Sequence, residues 1–184
     1  MFNISADVKE NDQALQAMQA ALKELENTQV LVGIPEDDKA RKEGHISNAA
    51  LLYIHSHGSP EQKIPPRPVI EPALEANKER LGEVMGKATK AAMAGDSAGM
   101  RRNLELAGKA GRDFSKAWFT DPRNGWKELK HGRGGEREVE FTGKDGSKTK
   151  VTFNKGKKAQ EDPRPLIDTG QLRNSITYVL RERD

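Results

Sequence analysis

Two histidines separated by one residue, His55 and His57, have a spacing that can ligate a metal ion from an extended segment, and His45 lies upstream of them. The hydropathy pattern places His55 and His57 at the end of a predicted helix, where histidine side chains favour the carbonyl groups of the last turn. No acidic residue or cysteine completes a ligand set. The sequence therefore favours helix capping over a metal site, and we expect neither a metal nor another cofactor.

The triplet Asp168-Thr169-Gly170 is the catalytic triplet of aspartic proteases, but it occurs here once and without the apolar strands that flank it in those enzymes. A protease would need two copies of the chain to supply two aspartates. The glycine-rich segments 132–135 and 143–146 lack the strand and helix that frame a phosphate-binding loop. We therefore expect no enzymatic activity.

The composition limits the classes of protein further. Only 34% of the 184 residues are hydrophobic and 5% are aromatic, whereas 32% are charged, so a core can form but will be thin. No run approaches the roughly 20 apolar residues of a membrane span. The first residues show no signal-peptide pattern, and the absence of cysteine excludes disulfides. We expect a soluble protein made in a cytoplasm.

Charge is distributed unevenly along the chain. Residues 1–40 carry eight acidic and three basic side chains, a net charge of −5, whereas residues 123–158 carry eleven basic and five acidic ones, a net charge of +6. Both regions can be solvated surface. The basic region can also contact nucleic acid, or the acidic region of one copy can meet the basic region of the next. The sequence alone leaves these three alternatives open.

Hydropathy periodicity predicts an α+β fold in one domain covering residues 1–184. The predicted sheet is small and mainly antiparallel, it is packed by long helices, and a β-hairpin with basic loops at 136–158 projects from it. The predicted strands are residues 2–8, 29–34, 138–142, 148–154 and 175–180, with a strong Asp145-Gly146 turn signal in the hairpin.

The predicted helices alternate with these strands. The first follows a cap at Asn11 or Asp12, Ser47 caps a second over residues 48–56, and a long one runs from Pro68 to about Ala94. Asp96 or Ser97 caps the next, and a short turn covers 171–174. Gly108 and Gly111 lie inside a helix at a cost of roughly 1 kcal/mol each relative to alanine, which predicts close packing against a neighbouring helix.

Four short strings in order along the chain resemble a known family. They are Val32-Gly33-Ile34-Pro35, the segment 53–60 (YIHSHGSP), the segment 64–68 (IPPRP) running into 71–74 (EPAL), and the segment 165–176 (PLIDTGQLRNSI). The segment 124–129 (NGWKEL) is similar to the family's Gly-Trp-x-x-Leu stretch. Together they resemble the tail-component and virion-morphogenesis proteins of tailed bacteriophages, a group that includes neck and tail-completion proteins. His57 departs from the pattern, since many relatives have an aromatic residue there.

The resemblance implies a virion structural protein without enzymatic activity, found in the virion neck or tail and, during assembly, in the host cytoplasm. It implies a ring at the head–tail junction or the top of the tail, with a homo-hexamer following the symmetry of the tail. The implied partners are other copies of the chain, the head-completion or connector proteins and the tail-terminator or tail-tube proteins, with packaged DNA as a further candidate.

Eight residues are candidates for contacts with other copies or partners. They come from the proline-rich segment, the charged regions and the motif strings: Arg67, Asp37, Asp38, Trp126, Lys155, Lys157, Lys158 and Arg173. The alternative function is that of a DNA-binding accessory protein acting through residues 123–158.

Overall fold

The computed structural model describes residues 4–35, 46–62, 64–126, 137–142, 148–153, 166 and 170–183. For residues 4–10, 137–142 and 148–153 it describes the backbone alone. Helices dominate, and the strands form two small sheets, so the predicted α+β class is confirmed. In chain order the elements are α1 (Ile4–Asn27), β1 (Thr28–Gly33), α2 (Asn48–His57), α3 (Ile70–Glu75), α4 (Lys78–Met93), α5 (Ser97–Trp118), a 3-10 helix (Pro122–Asn124), β2 (Arg137–Thr142), β3 (Lys148–Phe153), α6 (Gln171–Ser175) and β4 (Thr177–Glu182).

The chain divides into two compact units, each assembled from separate segments. Unit 1 contains residues 1–32, 74–114 and 178–184, and unit 2 contains residues 33–73 and 115–177. Neither unit is a continuous stretch of sequence, and the single domain predicted for residues 1–184 stays a prediction.

The core of unit 1 is built largely from alanine. Helix α1 packs on α4, and the fully buried side chains there are small apart from Met100 and Leu104 of α5, with Ala21, Ala88 and Ala92 beside them. Small side chains allow helix backbones to approach closely, but they bury little apolar area each. The thin core expected from composition is therefore present, and it depends on two large side chains.

Strands β1 and β4 form a two-stranded ribbon beside this core. The backbone N–H of Arg183 donates to the carbonyl of Asn27 at 2.6 Å, so the end of β4 lies beside the start of β1, as in an antiparallel pair. The strands predicted near 29–34 and 175–180 are therefore both present, and they belong to the same sheet as predicted. Leu31 of β1 and Val179 of β4 both remain exposed, at 42% and 44%.

Gly108 and Gly111 of α5 lie against this ribbon. A Cβ atom at Gly108 would lie 2.8 Å from Cγ of the Tyr178 ring, and one at Gly111 would lie 2.9 Å from Cγ2 of Val32. The close packing predicted at these glycines is present. For Gly108 the neighbour is a strand rather than the expected helix, whereas Gly111 also meets Leu74 of α3.

The prediction of a strand at residues 2–8 is wrong, because helix α1 begins at Ile4. Its alternation relied on Ala6, and alanine has the highest helix propensity of all residues. Ile4 and Val8 are also four residues apart, a spacing that suits a helix face equally well. The cap predicted at Asn11 or Asp12 is wrong for the same reason, since both residues lie inside α1.

The long helix predicted from Pro68 to Ala94 is two helices, α3 and α4. The chain leaves helical geometry at Asn77, whose φ of −123° and ψ of 18° precede α4, and the Asn77 N–H donates to the Leu74 carbonyl at 3.1 Å. Asparagine competes with the helix for backbone hydrogen bonds, which explains a break at this residue type.

Strands β2 and β3 form the predicted hairpin, with Val139 opposite Val151 and Thr142 opposite Lys148. They make a two-stranded sheet of their own and do not join β1 and β4 in the single sheet that the sequence predicted. The Asp145-Gly146 turn lies outside the described residues.

Candidate functional site

Helix α2 positions the first of the motif strings in unit 2. Ser47 caps its start, with the hydroxyl accepting a hydrogen bond from the Ala50 N–H at 3.1 Å, as predicted. Gly58 ends it with a φ of 73°, a left-handed value that side chains disfavour. A Cβ at Gly58 would also lie 2.8 Å from the Ile64 carbonyl oxygen, so glycine is required here twice over.

The proline-rich segment is fixed against the end of α2. Ser59 and Ile64 exchange two backbone hydrogen bonds of 2.9 Å, and the Arg67 N–H donates to the His55 carbonyl at 2.6 Å. Residues 65–69 are not helical, as expected of residues that precede prolines. The strings 53–60 and 64–68 therefore form one hydrogen-bonded unit that leads into α3.

Arg67 is half-buried in this segment. Partial burial lowers the pKa of the Arg67 guanidinium below its ordinary value. Within the described ranges, no carboxylate forms an ion pair with it. A partly desolvated guanidinium gains from an anionic or carbonyl partner, which is a property of arginines at protein interfaces.

Tyr53 and His57 form an exposed aromatic pair on α2. Their ring centroids are 4.2 Å apart, the His57 Nδ1 lies 2.9 Å from the Tyr53 carbonyl oxygen, and the Tyr53 side chain is 65% exposed. His57 thus contacts the last turn of the helix, as its predicted capping role requires. In the part of the chain that the structure describes, no three His, Cys, Asp or Glu residues are grouped to hold a metal ion.

Helix α6 attaches the last motif string to α2. The Nδ2 of buried Asn48 donates to the Ser175 hydroxyl at 2.7 Å, and that hydroxyl donates to the Gln171 carbonyl at 3.0 Å. Gly170 precedes α6 with a φ of 69°, a left-handed value that residues with a side chain disfavour. Strings 53–60, 64–68 and 170–176 are therefore all tied to α2. We name them, together with Asn48, the motif cluster.

Arg173 is half-buried and forms a hydrogen bond inside unit 2. Its Nε donates to the Lys116 carbonyl at 2.8 Å, and the Lys116 Nζ donates to the Asn174 carbonyl at 3.2 Å. These bonds satisfy carbonyl groups near the ends of α5 and α6. The predicted role of Arg173 in contacts with a partner stays a prediction beside this internal bond.

Trp126 belongs to a second small group of unit 2, at the end of α5. Its ring lies edge-on to the Phe119 ring with the centroids 6.0 Å apart, and the backbone N–H of Trp126 donates to the Asn124 Oδ1 at 2.9 Å. The Arg123 guanidinium lies 5.6 Å from the centre of the Trp118 ring. Trp126 is half-buried in this packing, which leaves part of its ring accessible for contacts.

Asp121 fixes the turn that holds this group. Its Oδ1 accepts the Arg123 N–H at 2.9 Å, and its Oδ2 accepts from the Arg123 guanidinium at 2.6 Å. The hydrogen bond from Arg123 is the main reason that the pKa of the Asp121 carboxyl is lowered, and the same bond raises the pKa of the Arg123 guanidinium.

We expect replacement of Arg123 by glutamine to raise the pKa of Asp121 toward the ordinary aspartate value. Because the folded-state pKa is depressed, the stabilising contribution is present above the unfolded-state pKa and is lost as pH falls through the folded value. A carboxyl-carbon NMR titration measures the pKa directly, and Arg112→Gln is a matched control in which Asp121 should not move. An unchanged Asp121 pKa in Arg123→Gln would contradict the assignment.

Several predicted residues lie outside the described residues. They are Asp37, Asp38, Lys155, Lys157 and Lys158 among the contact candidates, and His45, Asp168 and Thr169 among the chemical ones. The described part of the chain brings Arg67 into the motif cluster, and the cluster includes Arg173 with its internal bonds. It places Trp126 in the separate group at the end of α5.

Two residues important to unit 2 were missed from the sequence. Asp121 caps the 3-10 helix and Pro122 is in its first turn. An aspartate followed by proline is a helix-start signal that the sequence contains. Asn48 is the first residue of α2 and 2% exposed. No sequence pattern distinguishes a buried asparagine there from a solvated one.

None of the helices in the described ranges has the length and hydropathy needed to span a membrane. The chain matches no protein-family model, no curated protein and no solved structure.

Proposed function

We propose that this chain is a bacteriophage virion structural protein, a neck or tail-completion subunit that forms a ring at the head–tail junction or the top of the tail. The ring is a homo-hexamer, and its neighbours are the connector or head-completion proteins and the tail-terminator or tail-tube proteins. The order of the motif strings and their resemblance to the family supply this identity. The proposal assigns the protein no enzymatic reaction.

The observation that carries the proposal is the exposed surface of the motif cluster. Tyr53 is 65% exposed, and Arg67 is half-buried without an ion pair in the described ranges. Tyrosine and arginine are enriched at protein interfaces and dominate their binding energy. A cluster that fixes its backbone by buried hydrogen bonds and presents these two side chains is suited to binding a protein.

The charge distribution supports a head-to-tail arrangement of copies. An acidic region at 1–40 and a basic region at 123–158 are two different patches, and a contact between different patches closes into a ring when its rotation permits. In such a ring Lys155, Lys157 and Lys158 of one copy meet acidic residues of the next, with Asp37 and Asp38 as the proposed partners.

We expect the triple reversal of Lys155, Lys157 and Lys158 to glutamate to weaken assembly, and to do so most at low salt, where screening is least. Multi-angle light scattering should give six times the 20.4-kDa chain mass for the unchanged protein and a smaller mass for the variant. Reversing Asp37 and Asp38 to lysine in the same chain should restore part of the assembly.

The matched control reverses three exposed basic residues that lie outside both charged regions: Lys87, Lys109 and Arg183. It has the same net charge as the triple variant and should assemble normally. Equal loss of assembly in both variants would show that net charge alone matters. A monomeric protein that binds duplex DNA with a steep salt dependence would favour the DNA-binding accessory function instead.

A further inference from the structure

Helix α4 has an exposed apolar side. The side that carries Ala88 and Ala92 is buried in unit 1, with Met85 at its edge and 39% exposed, whereas Met93 lies on the exposed side and is 59% exposed. Gly82, Thr89 and Met93 follow one line along the helix, because residues three, four and seven apart share a helix face. Exposed methionines are typical of surfaces that pack against a partner.

At two positions on this side of α4, Gly82 and Gly86, no side chain projects from the helix. No atom among the described residues would lie within 4 Å of a Cβ at Gly82 or Gly86. Gly108 and Gly111 of α5 differ, because the ribbon of β1 and β4 occupies the space that their side chains would fill. Glycine lowers helix propensity in both helices. In α5 the glycines allow another part of unit 1 to pack closely against the helix, whereas in α4 no described residue packs there.

Opposite charges flank the same line. Glu79 lies three residues before Gly82, and Lys90 lies four residues after Gly86, so both border the exposed apolar side. Both side chains are exposed, and in the described part of the chain neither forms an ion pair. The midpoint of Glu79 and Lys90 lies half a residue from the midpoint of Gly82 and Gly86.

We infer that this side of α4 binds the same side of α4 in a second copy of the chain, with the two helices antiparallel. In that arrangement Glu79 of each copy faces Lys90 of the other, and the glycines meet at the centre. The order of the charges along α4 favours a second copy as the partner. In an antiparallel pair of α4 helices, opposite charges face each other at both ends of the contact. The contact is two-fold, so it is separate from the head-to-tail contact of a ring and does not depend on it.

The test uses two charge reversals, Glu79→Lys and Lys90→Glu, followed by sedimentation. Each variant alone should dimerise about tenfold more weakly than the unchanged chain, because both ends of the contact then carry like charges. An equimolar mixture of the two variants should recover the dimer, since the heterodimer restores opposite charges at both ends. Failure of the mixture to recover, or an unchanged chain that shows no two-fold association, would overturn the inference.

A second pair of variants separates loss of binding from loss of folding. Gly82→Gln with Gly86→Gln should abolish the dimer while leaving thermal unfolding of the dilute chain unchanged or raised, because glutamine favours the helix. Lys87→Gln, on another side of the same helix, is the matched control and should still dimerise. If the two glutamines lower the unfolding temperature of the dilute chain, this side of α4 is covered by the chain itself and the inference is wrong.

Discussion

Replacing Leu104 by alanine is expected to lower the free energy of unfolding by about 3 kcal/mol, the largest effect of any single change considered for this chain. Leu104 is 1% exposed, and it is one of two large side chains, with Met100, that are fully buried in this core beside Ala21, Ala88 and Ala92. Small domains are stable by only about 5–15 kcal/mol, so this loss is a large share of the total.

Leu106→Ala is the matched control, because Leu106 lies on the same helix but is 52% exposed. It should change stability by no more than about 0.5 kcal/mol. Urea unfolding followed by circular dichroism measures both variants. The two tryptophans, Trp118 and Trp126, both belong to unit 2, so their fluorescence follows that unit separately. A loss below about 1 kcal/mol for Leu104→Ala would contradict the description of the core.

Replacing Gly108 by alanine should also destabilise the protein, by about 2 kcal/mol, although alanine favours the helix by roughly 1 kcal/mol. The new methyl group would clash with the Tyr178 ring, which is wide and rigid. This clash can be relieved only by moving β4 away from α5. Gly111→Ala should have a smaller effect, because its nearest neighbours are methyl groups of Val32 and Leu74.

Gly82→Ala is the matched control for Gly108→Ala. The same chemical change on α4 has open space around it, and in the dilute chain it should raise stability by about 1 kcal/mol. Opposite signs for the two substitutions, measured by thermal unfolding, would establish the close approach of the ribbon to α5. Equal signs would exclude it.

Local signals predicted the elements that are determined locally. Ser47 begins α2, and the Asp96 carboxylate accepts the Gly99 N–H at 2.7 Å at the start of α5, both as capping preferences indicate. The hairpin strands match the prediction within a residue at each end, because turn residues and alternation agreed there. The strand at 2–8 failed because four alternating residues, one of them alanine, fit a helix as well.

Tertiary partners could not be predicted in the same way. Gly108 and Gly111 signalled a close approach, but nothing in their spacing distinguishes a strand from a helix as the neighbour. The contact candidates show the same limit. Arg67 and Arg173 were both chosen from motif strings, yet Arg173 forms hydrogen bonds inside unit 2, whereas Arg67 has no ion pair in the described ranges. Which arginine is internally paired depends on where the Lys116 carbonyl lies, and that is a property of the fold.

The pairing of β1 with β4 has a consequence for synthesis of the chain. The two strands are about 150 residues apart in sequence. At the usual 5–20 residues per second, a ribosome needs about 7–30 s after making β1 to make its partner. During that interval the apolar residues of β1 have no strand to pair with, and the space beside Gly108 of α5 lacks the Tyr178 ring that fills it in the folded chain. Nascent chains therefore expose an unpaired apolar strand for seconds. A chaperone that binds extended apolar segments would bind β1 during this time.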